Sequence, residues 1–323
     1  MNDGQSYSLD RFQGFASAGG TYTITQDSDT PSGEGFTNSL KVAVTSADSS
    51  LASGDYYVID QRIEGNVFAQ AGFGTSGAKA VTLSFFVRSS VTGSHGGSLS
   101  NSAANRSYPY TYTVSSANTW EYKTITIPGD TTGTWLTTTG VGARLYWGLG
   151  AGSTASGPAG AWAAAEYRTA ASTVAPISTG SATWYITGVQ LELGEQATPF
   201  EHRSFADELA RCQRYYWQLS TGVHGNYPSW AATGYNTNQC NINLPFPVPM
   251  RTVPTASFNT GNVNYYRFYR GGGNENFGNV ATDTISSEHL NMYGDGISHT
   301  QGLNGTLQIR LADGAGVFVT AEL

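Results

Sequence analysis

The chain has 323 residues, with 16 Lys and Arg against 23 Asp and Glu and a formal net charge of −7. That balance, with no dense basic run, excludes a nucleic-acid partner, whose phosphates require clustered cations. Only 12% of residues are charged while glycine alone numbers 40, a composition of short strands joined by small-residue turns.

Through residues 1–200, patterns of period two recur between Gly, Ser, Asn and Asp boundaries, and alternation assigns their inward faces. Those faces carry Tyr22 and Ile24; Leu40, Val42 and Val44; Val81, Leu83, Phe85 and Val87; Ile125 and Ile127; and Leu145, Trp147 and Leu149. With almost no helical periodicity before Ser204, this favours an all-β sandwich over a parallel α/β sheet. Residues 148–171 are low in complexity and read as a long loop, with Ala161 and Ala163 to Ala165 offering at most a helical turn. From Trp184 to Leu193 the alternation returns: Tyr185, Thr187, Val189, Leu191 and Leu193 against Trp184, Ile186, Gly188, Gln190 and Glu192. Thr198-Pro199 stops that strand.

Ser204 with Asp207 three residues on resembles a capping box, and Phe205, Leu209, Cys212 and Tyr216 recur at helical spacing, which predicts one amphipathic helix running to about Trp217. Beyond it, residues 262–270 place Tyr265, Arg267 and Tyr269 on one face of a strand and Tyr266, Phe268 and Arg270 on the other. Leu307, Ile309 and Leu311, then Val317, Val319 and Ala321 flank Asp313-Gly314 and predict a closing hairpin. The organisation expected is a domain over residues 1–200, a linking helix over 201–218 and a smaller, sandwich-like β-domain over 219–323. No stretch of about 18 apolar residues occurs and MNDGQSYSLD lacks the regions of a classical signal, so neither membrane insertion nor classical secretion is expected.

Chemistry-bearing motifs are sparse. The histidines His95, His202, His224, His289 and His299 lack zinc-ligand spacing, and no nucleophile elbow or phosphate loop is present. Asp55, Asp60 and Glu64 follow one strand and its turn, but 23 Asp and Glu always supply a carboxylate pair on paper, so no catalytic residue is assigned and the expectation is a non-enzyme. Cys212 and Cys240 read as separate reduced thiols packed as small hydrophobes. Aromatics make up 12% of the chain, with 19 Tyr and 7 Trp, the residues that stack on apolar sugar faces and equally those that fill a β-core. Trp120, Trp147 and Trp184 fall within strand patterns and read as core. Tyr227, Trp230 and Tyr235 in HGNYPSWAATGYNTNQ, with Tyr265, Arg267 and Tyr269, are the candidates for glycan binding, or alternatively for a subunit interface. Phe205, Leu209, Cys212 and Tyr216 are the oligomer-interface candidates.

WYITGVQLELGEQATPFEHRSFADELARCQRYYW at Trp184 to Trp217 resembles a joint found in bacteriophage virion proteins, the tail-fibre and receptor-binding proteins of marine and cyanobacterial phages. The resemblance extends to YSLDRFQGFASAGG at Tyr7, PSGEGFTNSLKVAVTSADSSLASGDYYVIDQRIEGNVF at Pro31, LSFFVRSSVTG at Leu83 and NTWEYKTITIPGDTTGTW at Asn118, roughly the first two thirds of the chain; LPFPVPMRTVPT at Leu244 matches loosely. It implies a jelly-roll sandwich like those of carbohydrate-binding modules, then a variable β-domain. The implied protein is an adhesin for host-surface glycan, folded in the host cytoplasm, built into the virion with other virion proteins and commonly a homotrimer. A capsid fibre or cement protein is the alternative, a glycan depolymerase a minor one. Such jelly rolls commonly hold a structural calcium; Asp27, Asp29 and Glu34 are the oxygen-rich cluster available for it, with Thr187-Gly188 at the closing-strand place where an aspartate often stands. No other cofactor is expected.

Overall fold

The computed structural model describes residues 7–9, 11–219, 225–271, 273–298 and 300–323. Two compact units emerge, the first reaching His202 and the second running from Arg203 to Glu322. Both are built almost wholly of antiparallel strands.

In the first unit one sheet has the order β1 (Tyr7–Leu9), β2 (Phe12–Ala16), β5 (Tyr56–Glu64), β10 (Val141–Ala151), β7 (Gly93–Asn101) and β8 (Ser107–Val114). The facing sheet has the order β3 (Thr21–Asp27), β4 (Ser39–Ser46), β13 (Thr183–Leu193), β6 (Val81–Ser89) and β9 (Glu121–Ile127). Neighbours in space are distant in sequence, and the two sheets close a jelly-roll sandwich. Its core holds the inward sets expected from alternation, among them Val42, Leu83, Phe85, Leu145, Trp147 and Leu149. A one-turn helix α1 (Gly65–Phe68) follows β5, and within 148–171 only two-residue strands β11 (Ser156–Gly157) and β12 (Thr169–Ala170) form, in parallel. No helical turn occurs at the alanines; Ala163 instead bridges to Ser107.

In the second unit a three-stranded sheet, β14 (Tyr216–Leu219), β23 (Val317–Thr320) and β17 (Thr255–Phe258), accompanies a seven-stranded one. The latter has the order β19 (Gly273–Phe277), β18 (Tyr266–Arg270), β22 (Asn304–Ile309), β15 (Ser229–Gly234), β16 (Gln239–Pro245), β21 (His289–Asp295) and β20 (Val280–Ile285). Trp217, Leu244, Tyr266, Phe268, Met292, Leu307 and Val319 fill the core of this unit.

Two expectations are corrected. Helix α2 (Phe205–Gln213) is capped as the sequence predicts, Ser204 Oγ accepting from the Asp207 amide at 3.2 Å, but it ends before Tyr216. The aromatic run that follows favours extended backbone: Tyr216 pairs with Thr320 in β14, which buries Trp217 and Leu219 and turns Tyr216 outward. The closing segments are not a hairpin either. β22 lies in the seven-stranded sheet and β23 in the three-stranded one, because Leu311–Asp313 form a 3₁₀ turn that ends at left-handed Gly314 and carries the chain from one sheet to the other.

Candidate functional site

Alternation along the seven-stranded sheet sends Tyr266, Phe268, Leu307, Ile309, Ile242 and Met292 into the core and therefore aims their neighbours at solvent. Register aligns those neighbours across the strands. Tyr269 lies between Asn274 and Thr306, which continues to Ala231; Arg267 lies between Asn276 and Gln308, which continues to Ser229. Further across, Asn241 stands opposite Thr233 and Tyr293, and Asn243 opposite Asn291.

Amide and hydroxyl groups on this face orient one another. Asn243 Nδ2 donates to Asn291 Oδ1 at 2.6 Å, and Asn291 Nδ2 donates to Thr284 Oγ1 at 2.8 Å. Arg267 Nε donates to Asn276 Oδ1 at 2.8 Å, whose own amide donates to Asn264 at 3.2 Å. The guanidinium is thereby held flat beside Tyr269, which is 55% exposed. The result is an open face of uncharged donors and acceptors with one oriented cation and one projecting ring.

The six glycan-binding candidates separate into groups. Arg267 and Tyr269 share the outward face. Tyr227 and Tyr265 meet around a residue the sequence did not single out, Arg310, whose guanidinium lies 5.7 Å from the Tyr227 ring centroid and whose amide donates to the Tyr265 carbonyl at 2.8 Å. Tyr265 precedes β18 rather than lying in it. Tyr235 is exposed in the turn after β15, at the other end of that strand. Trp230 is corrected: it is not a looped surface ring but an inward residue of β15, opposite Leu307 and in phase with Ala232, half-buried against the core.

Of the oligomer-interface candidates, Phe205 is 82% exposed and Leu209 40% exposed on α2. Cys212 is half-buried on the same helix and Tyr216 stands on β14.

The oxygen-rich cluster of the first unit does not converge. Asp27 accepts from Lys41 Nζ at 3.0 Å, and Asp29 from Arg88 Nη1 at 2.6 Å and Trp120 Nε1 at 2.9 Å, while Glu34 is exposed. The Asp29 amide and Lys41 hold the Asp27 carboxyl below its ordinary range. Tyr185, outward on β13, packs under both cations, 5.4 Å from Lys41 and 4.8 Å from Arg88.

His95 is buried and stacked on Tyr112 at 5.5 Å, and burial pushes its imidazole pKa down. His202 packs with Phe36 and Phe200, and His289 contacts Ser286; His224 and His299 lie outside the described residues. Trp147 and Trp184 are core, and half-buried Trp120 is held by Asp29.

No protein-family model matches the chain, and no curated protein does. Among solved structures it is similar to the enzymatically active domain of tailspike protein 4 from bacteriophage CBA120, at 12% identity and a TM-score of 0.34 over 58% of this chain and 20% of that one. It is also similar to a family 11 carbohydrate-binding module from Clostridium thermocellum bound to a mixed-linked tetrasaccharide, at 10% identity and a TM-score of 0.31 over 60% of this chain and 95% of the module. The tandem CBM22 domain of Xyn10C from Paenibacillus barcinonensis aligns over 98% of this chain and 95% of its own length at 9% identity and a TM-score of 0.26. The chain spans about a fifth of the tailspike domain. At these scores the similarities carry no argument about the site, which stands on its own geometry.

Proposed function

We propose that the protein is a non-enzymatic phage virion adhesin, a tail-fibre or receptor-binding protein whose second unit recognises host-surface glycan. The observation that carries glycan recognition is the outward face of the seven-stranded sheet, where the exposed Tyr269 ring stands beside an Arg267 oriented by Asn276 in a field of Asn, Gln, Ser and Thr. Sugar hydroxyls both donate and accept, so they match uncharged amides and hydroxyls, while the apolar face of a pyranose stacks on a tyrosine ring. The virion setting comes from the sequence resemblance at Tyr7, Pro31, Leu83, Asn118 and Trp184. In this reading α2 contributes its exposed Phe205 and Leu209 to a homotrimer.

Adsorption of phage to host cells in the presence of excess purified protein tests the reading. The wild-type chain blocks adsorption; Tyr269→Ala and Arg267→Ala each weaken the block about tenfold, the loss of about 1.4 kcal/mol expected for one well-placed contact, with melting temperatures unchanged. If the intact protein neither binds cells nor competes, a capsid fibre or decoration role replaces this one.

A further inference from the structure

The outward face of the six-stranded sheet in the first unit is polar yet shut away from solvent. Gln13, Asp60, Tyr146 and Ser98 align in register across β2, β5, β10 and β7; the next row places Arg62 opposite Arg144 and Arg144 opposite Ser100. Gln13, Asp60, Ser98 and Ser100 are each at most 1% exposed.

Segment 152–171 roofs one side. Thr169 Oγ1 lies 2.4 Å from where a β-carbon would stand on either Gly96 or Gly148, so only glycine admits this approach. Arg168, paired with Glu166, covers the Tyr56 ring at 3.6 Å. Half-buried Tyr56, Arg144, Glu166 and Arg168 form the rim.

Packed polar atoms normally find partners, because burial without one forfeits hydration for nothing. Here Gln13 Oε1, both Asp60 oxygens, Ser98 Oγ, Ser100 Oγ and Arg144 Nε have no hydrogen-bond partner among the described residues, although Asp60 lies 3.5 Å from Arg62 Nε as an ion pair. These atoms are side by side on one face, not scattered.

We infer that this row is a second binding site, one that encloses a neutral mono- or disaccharide. An anion would meet Asp60 and a cation would meet Arg62 and Arg144, whereas a hydroxyl donates to Asp60 or Gln13 and accepts from Arg144, and serine does either. Four strands spaced about 4.8 Å apart and two rows about 7 Å apart give a footprint suited to a short saccharide rather than a polymer laid across an open face. The inference is independent of the adhesin reading, which concerns the second unit.

Titration calorimetry of the full chain at pH 7.5 against glucose, galactose, mannose, cellobiose and lactose tests it. At least one binds the wild type, and the Ser98→Ala/Ser100→Ala variant loses tenfold or more in affinity at an unchanged melting temperature. Ser98→Cys, which keeps the side-chain volume, serves if the double variant does not fold, and lowers affinity in the same direction. Tyr269→Ala leaves this binding intact. Failure of every sugar at millimolar concentration overturns the inference, as does wild-type affinity in the serine variants. Binding lost only in Tyr269→Ala overturns it too, and would place the sugar on the second unit.

Discussion

Phe36 occupies the space that a side chain on Gly188 would need: the ring Cζ lies 2.6 Å from the position of a β-carbon there, and Gly188 has φ +61°. The residue forms a bulge in β13, between the pairs Thr187–Phe86 and Gln190–Ser84. Over it, Phe36 joins an aromatic strip with Phe200 at 5.0 Å and Phe86 at 5.8 Å. Gly188→Ala is therefore expected to destabilise the first unit by about 1 to 3 kcal/mol, from the strained backbone and the displaced ring together. Urea denaturation followed by tryptophan fluorescence measures it, and an unchanged midpoint would mean that the strip yields freely.

That bulge also explains what was legible in the sequence. Where period two runs uninterrupted, as in Val81 to Val87 or Leu145 to Leu149, alternation names the core residues, because one face of each strand must leave water. In β13 an extra residue shifts the phase: Trp184 and Ile186 point inward before Gly188, Val189 and Leu191 after it. Strand β7, GSHGGSLSN, has no readable pattern, since its glycines answer to distant neighbours; a β-carbon on Gly97 would sit 2.4 Å from Tyr110. The end of α2 was hidden likewise. Tyr216 keeps helical spacing, and only pairing with Thr320 decides for strand. Within the site, Arg267 and Tyr269 could be read from their alternation with Tyr266 and Phe268. Trp230 was misplaced because polar neighbours mask its inward phase, and Arg310 gave no local signal.

Asp60 makes stability depend on pH. Burial raises its pKa from 3.8 to about 6, against the opposing pull of Arg62 and Arg144 on paired strands and Arg168 on the covering segment. A carboxyl with a raised folded pKa favours the folded state fully below its unfolded value, and loses that contribution as pH rises through the folded one. Wild type should thus gain stability relative to Asp60→Asn between pH 7.5 and pH 4, by about 3 kcal/mol from a shift of roughly two units. Denaturation curves at the two pH values measure the difference, and equal gaps between the proteins at both would show that Asp60 is not desolvated in solution.

The two thiols should react unequally. Neither is in a disulfide; Cys240 is buried in β16 and burial pushes its thiol up to about 12, whereas Cys212 is partly exposed on α2. Since the thiolate is the reactive species, Ellman's reagent should label one thiol per native chain within minutes and the second only in denaturant. Cys212→Ala removes the fast label. Rapid labelling of both in the native protein would contradict the packing of the second core.

Leu209 tests the assembly. Nothing within α2 is fully buried: Phe205 is 82% and Leu209 40% exposed, on a helix whose Asp207 and Arg211 form an i,i+4 pair at 3.2 Å. In an isolated chain an aspartate at 209 meets water and costs little. At the seam of a three-helix bundle the same charge is desolvated without a partner, which costs several kcal/mol and dissociates the assembly. Sedimentation equilibrium of Leu209→Asp should show monomers where the wild type is trimeric, while circular dichroism and melting report intact units. A trimer that survives the substitution would move the contact elsewhere, and a wild type that is monomeric at micromolar concentration would remove α2 from assembly altogether.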